Sequence, residues 1–213
     1  MNLRTFITDP AAIEEKSMQI IEAEMGGKAK SFNTPELAVV KRVIHTTADF
    51  EYADLLLFSP GALETGIEAL KSGNMVLVSD TNMIVSGVNK GLLSSFGAQV
   101  VCLVADEETR SAAVTEGLTR SMVNIRRAVQ KYPEAIFAIG NAPTALYELL
   151  RLVESGEARP SLVVGVPVGF VEAAESKNEL LKSIVPYIAI RGRKGGSTVA
   201  VAIINAMLKL AGS

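Results

Sequence analysis

The sequence has one histidine, one cysteine and no tryptophan among 213 residues. A single cysteine, Cys102, cannot form a disulfide within the chain, which is typical of proteins of the reducing cytoplasm. One imidazole, one thiol and no paired-carboxylate motif leave no recognisable metal-ligand spacing. No apolar run approaches the roughly 18 residues of a transmembrane helix, and the N-terminal residues lack the apolar stretch of a signal peptide. We therefore expect a cytoplasmic chain with no metal and no membrane partner.

Motifs for several common activities are also absent. There is no GxxxxGK[ST] phosphate loop, no GxGxxG fingerprint after the first predicted strand and no GxSxG nucleophile elbow. The net charge of -2 provides no overall positive charge to attract nucleic acid. These absences argue against a nucleotide-loop enzyme, a Ser-His-Asp hydrolase and a nucleic-acid partner, and we expect no cofactor.

Five short apolar runs predict strands that are buried on both faces of a parallel sheet. Helical patterns over 81–96, 108–131, 142–155 and 172–183 separate these runs, and a last pattern covers 196–211. Right-handed crossovers then give one three-layer α/β/α domain over residues 1–213. A further candidate strand, Leu55–Phe58, is left out of this five-stranded prediction. The five runs are Met75–Ser79, Gln99–Val104, Ala135–Ile139, Leu162–Val166 and Tyr187–Ile190.

Extra helices are predicted before the first strand. Asp9-Pro10 is a good helix start, with Asp as N-cap and Pro at the first helical position, and Gly26-Gly27 ends that helix. Thr34-Pro35 opens a second helix, and Ser59-Pro60-Gly61 opens a third that runs to about Lys71. We expect these helices to pack on the sheet domain or to reach over a partner subunit.

His45 is the candidate proton donor, because it is the one side chain whose ordinary titration range lies near neutral pH. It falls near the end of the second predicted helix, with Lys41 and Arg42 on the same helix face. Two cations there would favour the neutral imidazole, and an anionic ligand would favour the charged form. A histidine that merely caps a helix end is the alternative interpretation.

The predicted strands end in polar loops, where open parallel sheets bind their ligands. Asp80 and Thr81 follow the first strand, and Asn141 follows the third. Ordinary turn chemistry explains such residues equally well. The last loop is more specific, because three cations and three glycines precede the final helix and make an anion site for phosphate or carboxylate. A solvated basic loop is the alternative there.

Several strings together resemble one family, precorrin-8X methylmutase, from about Asp9 to Leu208 and in the same order. Each string alone is weak, and their order and spacing carry the specificity. The strings are KRVIHTTADF at 41–50, SPGA at 59–62, DTNM at 80–83, GVPVGFV at 165–171 with ESK at 175–177, and RGRKGGS at 191–197.

The resemblance implies a flavodoxin-like five-stranded parallel sheet in the order 2-1-3-4-5 and a homodimer with its site near the interface. It implies an isomerase of cobalamin biosynthesis that moves a methyl group from C11 to C12 of precorrin-8X, giving hydrogenobyrinate, or acts on the cobalt-containing equivalent to give cobyrinate. The tetrapyrrole is then the partner molecule and His45 the catalytic acid. The predicted substrate-binding residues are Arg42, Thr46, Asp80, Thr81, Arg120, Asn141, Lys177, Arg191, Arg193, Lys194 and Ser197.

Two other function classes use similar features. A flavodoxin-like flavin or nucleotide binder would use the same strand ends, but it would need a phosphate loop where this chain has acidic Asp80. A non-catalytic tetrapyrrole carrier would need the cleft and the basic loop, but no histidine. Substitution of His45 separates the carrier from the enzyme.

Overall fold

A computed structural model describes residues 7–212 of the chain. Within this range the chain forms one sheet of six strands with helices on both faces. The strands are β1 (Leu56–Phe58), β2 (Val76–Ser79), β3 (Gln99–Val101), β4 (Ile136–Ile139), β5 (Leu162–Gly165) and β6 (Tyr187–Ile190). The helices are α1 (Pro10–Met25), α2 (Thr34–Thr47), α3 (Tyr52–Leu55), α4 (Ala62–Lys71), α5 (Asn82–Gly87), α6 (Lys90–Ser95), α7 (Glu107–Glu116), α8 (Arg120–Lys131), α9 (Pro143–Glu154), α10 (Ala173–Leu180) and α11 (Ser197–Ala211).

The five predicted strands are present and run parallel to one another, but the prediction of a five-stranded, all-parallel sheet is wrong because a sixth strand joins it in the antiparallel direction. The sheet order is β1-β6-β5-β4-β2-β3, and β1 pairs antiparallel with β6 through Leu56 opposite Ile190. The other neighbouring pairs are parallel. The candidate strand at Leu55–Phe58 therefore exists, and it covers the edge of β6 that would otherwise expose unpaired backbone groups.

The predicted N-terminal helix starts are confirmed. The Asp9 carboxylate accepts a hydrogen bond of 2.7 Å from the backbone N–H of Ala12, and Pro10 follows it. Asn33 and Glu36 form a capping box at the start of α2, where each side chain accepts from the other residue's N–H. These caps fix the position at which each helix begins.

Two of the predicted long helices are each broken in two. Val88 is extended at the end of α5, and Asn89 then caps α6 by accepting from the N–H of Leu92 at 3.0 Å. Gly117 ends α7 in the left-handed conformation, and Thr119 caps α8. Asparagine, threonine and glycine at these points supply the caps that break the helical pattern.

The core has two apolar layers, one on each face of the sheet. The larger layer joins the sheet to α2, α4 and α11, and the smaller one joins it to α8 and α9. α11 lies on β4 and β5 and packs against α2. Within residues 7–212, no helix combines the length and the apolar character needed to cross a membrane.

Candidate functional site

His45 lies in the last turn of α2 and is exposed. The opposite face of the helix is fully buried through Val39, Val40, Val43 and Ile44, so packing fixes the orientation of the turn. Ala48 ends the helix in the left-handed conformation with φ of 53°, and its N–H donates to the Ile44 carbonyl at 2.7 Å. The imidazole is therefore accessible to solvent at a firmly packed helix end.

A cleft of about 680 Å³ opens beside this helix end. Two predicted residues, Arg42 and Thr46, lie on its wall, and the Thr46 hydroxyl donates to the Arg42 carbonyl at 2.9 Å. The remaining lining comes from α1, α5, α11 and the segment from Asn89 to Leu92. It consists of Glu14, Met83, Gly87, Asn89, Leu92, Thr198, Val201, Ala202, Asn205 and Lys209.

The two cations beside His45 are paired with carboxylates of α1. Lys41 contacts Glu22 at 2.6 Å, and Arg42 contacts Glu14. Lys209 also donates to Glu14 at 2.8 Å, and these two hydrogen bonds lower the pKa of Glu14 to about 2. Both cations beside His45 therefore have a carboxylate partner on α1, and their predicted effect on the imidazole stays a prediction.

Lys194 in the last loop is also paired. Its ammonium contacts the carboxylates of Asp49 and Glu51 and lies 5.7 Å from the centre of the Tyr52 ring. The hydrogen bond from Lys194 lowers the pKa of Asp49, and both carboxylates raise the pKa of Lys194. Lys194 thus ties this loop to the segment after His45, and its role in substrate binding stays a prediction.

Arg191 and Arg193 lie in the loop between β6 and α11, Ser197 is the first residue of α11, and both arginines are exposed. In the described chain no side chain caps this helix, so its first amides face the loop without a side-chain partner. An added Cβ on Gly140 would lie 2.8 Å from the Cα of Ser197, which shows how closely the end of β4 approaches this helix. Anion binding by the arginines and these amides stays a prediction.

Asp80 is buried and serves the backbone of the neighbouring loop. Its carboxylate accepts from the N–H groups of Gly140, Asn141 and Ala142 at 3.1, 2.8 and 2.7 Å. Burial raises its pKa, and the three amides oppose that rise. These contacts favour a role in holding the exposed Asn141 in place, and direct substrate binding by Asp80 stays a prediction. Thr81 caps α5.

Lys177 is 1% exposed, and its ammonium donates to the carbonyl oxygen of Lys194 at 2.7 Å. Burial lowers its pKa to about 8. The predicted role in direct substrate contact does not fit this burial, since the amino group lies beneath the last loop. Lys177 instead supports the backbone from which Lys194 and Arg193 project.

Arg120 lies apart from these groups. It opens α8, is exposed, and borders a separate depression beside Arg110 and Val114. The Thr119 hydroxyl next to it lies 3.2 Å from the Thr144 hydroxyl at the start of α9. The structure therefore brings Arg42 with Thr46, Asp80 with Asn141, and Lys177 with the last loop, but it does not join Arg120 to the cleft.

Sequence reasoning missed several residues that shape the cleft. Asn205 accepts from the N–H of Asn89 at 2.8 Å and donates to the Gly87 carbonyl at 3.0 Å, which closes one wall. Glu14 and Lys209 meet across 195 positions of chain. No local motif marks such pairs, because they form only when α1 and α11 pack together. Over residues 7–212, no cluster of three or more His, Cys, Asp or Glu could hold a metal ion.

Comparison with known proteins decides the family. The family model of precorrin-8X methylmutase matches residues 12–210. The chain belongs to the precorrin-8X methylmutase family. It is 46% identical over 204 residues to the cobalt-precorrin-8 methylmutase of Priestia megaterium, covering 96% of this chain and 89% of that protein. It is 38% identical to the precorrin-8X methylmutase of Pseudomonas aeruginosa, covering 95% and 96% of the two chains.

A solved structure agrees with this family assignment. The precorrin-8X methylmutase of Thermus thermophilus superimposes with a TM-score of 0.86 at 42% identity, covering 94% of this chain and 98% of that one. Members of the methylmutase family are isomerases of cobalamin biosynthesis that catalyse methyl migration, and this chain is one of them. The alternatives of a flavin binder and a non-catalytic carrier are thereby set aside.

Proposed function

We propose that this methylmutase moves a ring methyl group from C11 to C12 of precorrin-8X or of its cobalt-containing equivalent, and that His45 is the general acid. One observation carries the proposal. The exposed imidazole stands on a packed helix end, and the Lys194 contacts with Asp49 and Glu51 join the following segment to the loop of Arg191 and Arg193. The proton donor and the anion-binding groups thus belong to one connected structure.

The chemistry requires little beyond these groups. A methyl shift around a conjugated ring changes no oxidation state and uses no external nucleophile. The protein needs to hold the macrocycle and donate a proton that activates its conjugated system. His45 supplies the proton donor, and any cobalt enters as part of the substrate. Relatives carry both the cobalt-containing and the cobalt-free substrate name, so the proposal covers both.

The carboxylates of the substrate are expected to bind at the last loop. Arg191 and Arg193 are exposed there, and the amides that open α11 add further donors. Arginine binds carboxylates in a bidentate fashion, which orients a ring as well as holding it. Arg42, about one helical turn before His45, and Thr46, the residue after it, lie on the cleft wall and are proposed to contact the substrate on its other side.

We further propose a flavodoxin-like core extended by the antiparallel edge strand β1, and a homodimer that acts in the cytoplasm. Support for the dimer comes from the resemblance and from exposed apolar residues on α1, including Ile13 and Ile20, each 45% exposed. Light scattering at micromolar concentration tests it, and a monomer with full activity would contradict it.

The decisive experiment replaces the imidazole. His45→Ala is expected to fold and to bind the macrocycle, yet to rearrange it about 10²–10⁴ times more slowly, as is typical when a positioned general acid is removed. A single-turnover assay on precorrin-8X, with binding measured alongside, checks this. His45→Gln is the matched control, since its amide keeps a hydrogen-bonding side chain of similar size but has no acidic proton to transfer, and it should be equally slow. Near-wild-type turnover in either variant would refute the role of His45.

A further inference from the structure

The loop between β5 and α10 displays apolar side chains to solvent. Phe170 is 84% exposed, Val171 is 79% exposed and Val168 is 46% exposed. Three such neighbours in one short loop differ from the single surface hydrophobics that need no explanation. An aromatic ring held in water is a common feature of surfaces that bind a partner molecule.

This loop is firmly held by its backbone. The N–H of Gly169 donates to the Arg193 carbonyl at 3.2 Å, and the N–H of Gly196 donates to the Val166 carbonyl at 2.8 Å. Glu172 adopts the left-handed conformation with φ of 62°, and its carboxylate accepts from the Tyr147 hydroxyl at 2.8 Å. The exposure of Phe170 is therefore imposed by an anchored loop.

A cation lies directly against the ring. The guanidinium carbon of Arg193 is 5.5 Å from the centre of the Phe170 ring, within the range of a cation–π contact. The same two hydrogen bonds that hold the apolar loop connect it to the loop of Arg193. An apolar surface and a carboxylate-binding group are thus built as one unit at the carboxyl ends of β5 and β6.

We propose that Phe170 and Val171 form the apolar half of a corrin-recognition element whose charged half is Arg193. One face of the macrocycle packs on the phenyl ring, while a carboxylate on its edge pairs with the guanidinium. This proposal rests on the proposed function, because it takes the substrate of that site to be a corrin with carboxylate side chains. It adds a binding role for a side chain that the polar motifs do not include.

The charge and the size of this surface favour a corrin over a second protein as its ligand. Arg191 and Arg193 are both exposed beside the apolar residues, which complements an anionic ligand. A patch of three apolar side chains matches one face of a small flat molecule. A stable protein interface takes about 20–30 residues a side.

An absorbance titration that measures the binding of hydrogenobyrinate to the full chain, at low and at high salt, tests the proposal. Phe170→Ala should raise the Kd about tenfold at both salt concentrations, because the lost contact is apolar. Arg193→Ala should also weaken binding, and its effect should shrink at high salt. Ile184→Ala is the matched control, since Ile184 is 95% exposed but lies between α10 and β6, outside the β5–α10 loop, and it should bind like the wild type.

The outcomes separate the two proposals. If the wild type binds and the Kd of Phe170→Ala lies within about twofold of the wild-type Kd, the recognition element is overturned. The proposed function is then unaffected. No binding by the wild type overturns the proposed function and this inference with it. If Phe170→Ala instead lowers the mass measured by light scattering, the loop is a subunit contact and the inference fails. Phe170→Leu is measured in parallel, and the melting temperature of each variant is recorded. A lowered melting temperature shows that a loss of binding comes from misfolding.

Discussion

Replacing Lys177 by methionine should change how the stability of the protein depends on pH. The Lys177 ammonium is buried and donates to the Lys194 carbonyl at 2.7 Å, and burial lowers its pKa to about 8. In the unfolded chain a lysine titrates near its ordinary pKa of 10.5. Methionine has a similar shape and no charge, so it removes the titration while largely filling the same space.

The sign and size follow from proton linkage. Between about pH 8 and pH 10.5 the unfolded chain holds a proton on Lys177 that the folded chain has released. The free energy of unfolding therefore rises with pH in this window, by about 1.4 kcal/mol per pH unit, and the total is on the order of 3 kcal/mol. Below about pH 8 the buried Lys177 is protonated, and the free energy of unfolding is lowered by the full cost of burying its charge.

Urea unfolding of wild type and Lys177→Met at intervals from pH 7 to pH 10.5 measures this effect. The wild-type value minus the variant value should rise across the window, while other titrating groups cancel. Loss of the hydrogen bond to Lys194 shifts the difference by a constant of about 1 kcal/mol and does not alter its slope. Parallel curves for the two proteins would refute the claim that Lys177 is buried as a charged group at neutral pH.

Three further predictions concern residues that shape the site. Gly195→Ala should destabilise the protein by about 2 kcal/mol or more in urea unfolding, because φ is 147° and the new Cβ would lie 2.2 Å from the Val166 carbonyl oxygen; an unchanged midpoint would contradict this. Asp80→Asn should cost about 2–4 kcal/mol, since an amide cannot accept from all three loop N–H groups; a loss under about 0.5 kcal/mol would count against the carboxylate as the support of this loop. The lowered pKa of Glu14 should add stability above about pH 4.5 that is lost as pH falls towards 2. Glu14→Gln should remove this pH dependence, which amounts to about 1 kcal/mol because solvent screens the pair. Identical unfolding midpoints for the two proteins in an acid titration followed by circular dichroism would argue against it.

The sequence predicts the central strands and the helix starts because both depend on short-range patterns. Continuous apolar runs mark β4 and β5, and Asp9 and Pro10 mark the start of α1. Strand β1 has three residues and depends on a partner 130 or more positions away, so its local pattern gives too little signal. The breaks at Asn89 and Gly117 were hidden inside long helical patterns.

The site shows the same division. His45 is exposed on its predicted helix, as a ligand-binding role requires. The amino-acid composition alone identifies it, because it is the one histidine of the chain. The ionic partners of Arg42 and Lys194 could not be predicted, because Glu14 and Asp49 reach them only through tertiary packing. The exposure of Phe170 could not be predicted either, because its position in the loop after Leu162–Val166 does not show whether an apolar side chain packs inward or faces solvent.

The pairing of β1 with β6 has a consequence for how the protein is made. This pairing and the packing of α11 on α2 join the first third of the chain to its last segment. On the ribosome, α2 and β1 emerge long before the strand and helix that cover them. Their apolar surfaces stay exposed until the later elements are synthesised. Folding that depends on contacts between distant parts of the chain is slow and prone to aggregation. The loop that carries Arg193 joins β6 to α11, so the proposed substrate site can assemble only after these two late elements have been synthesised.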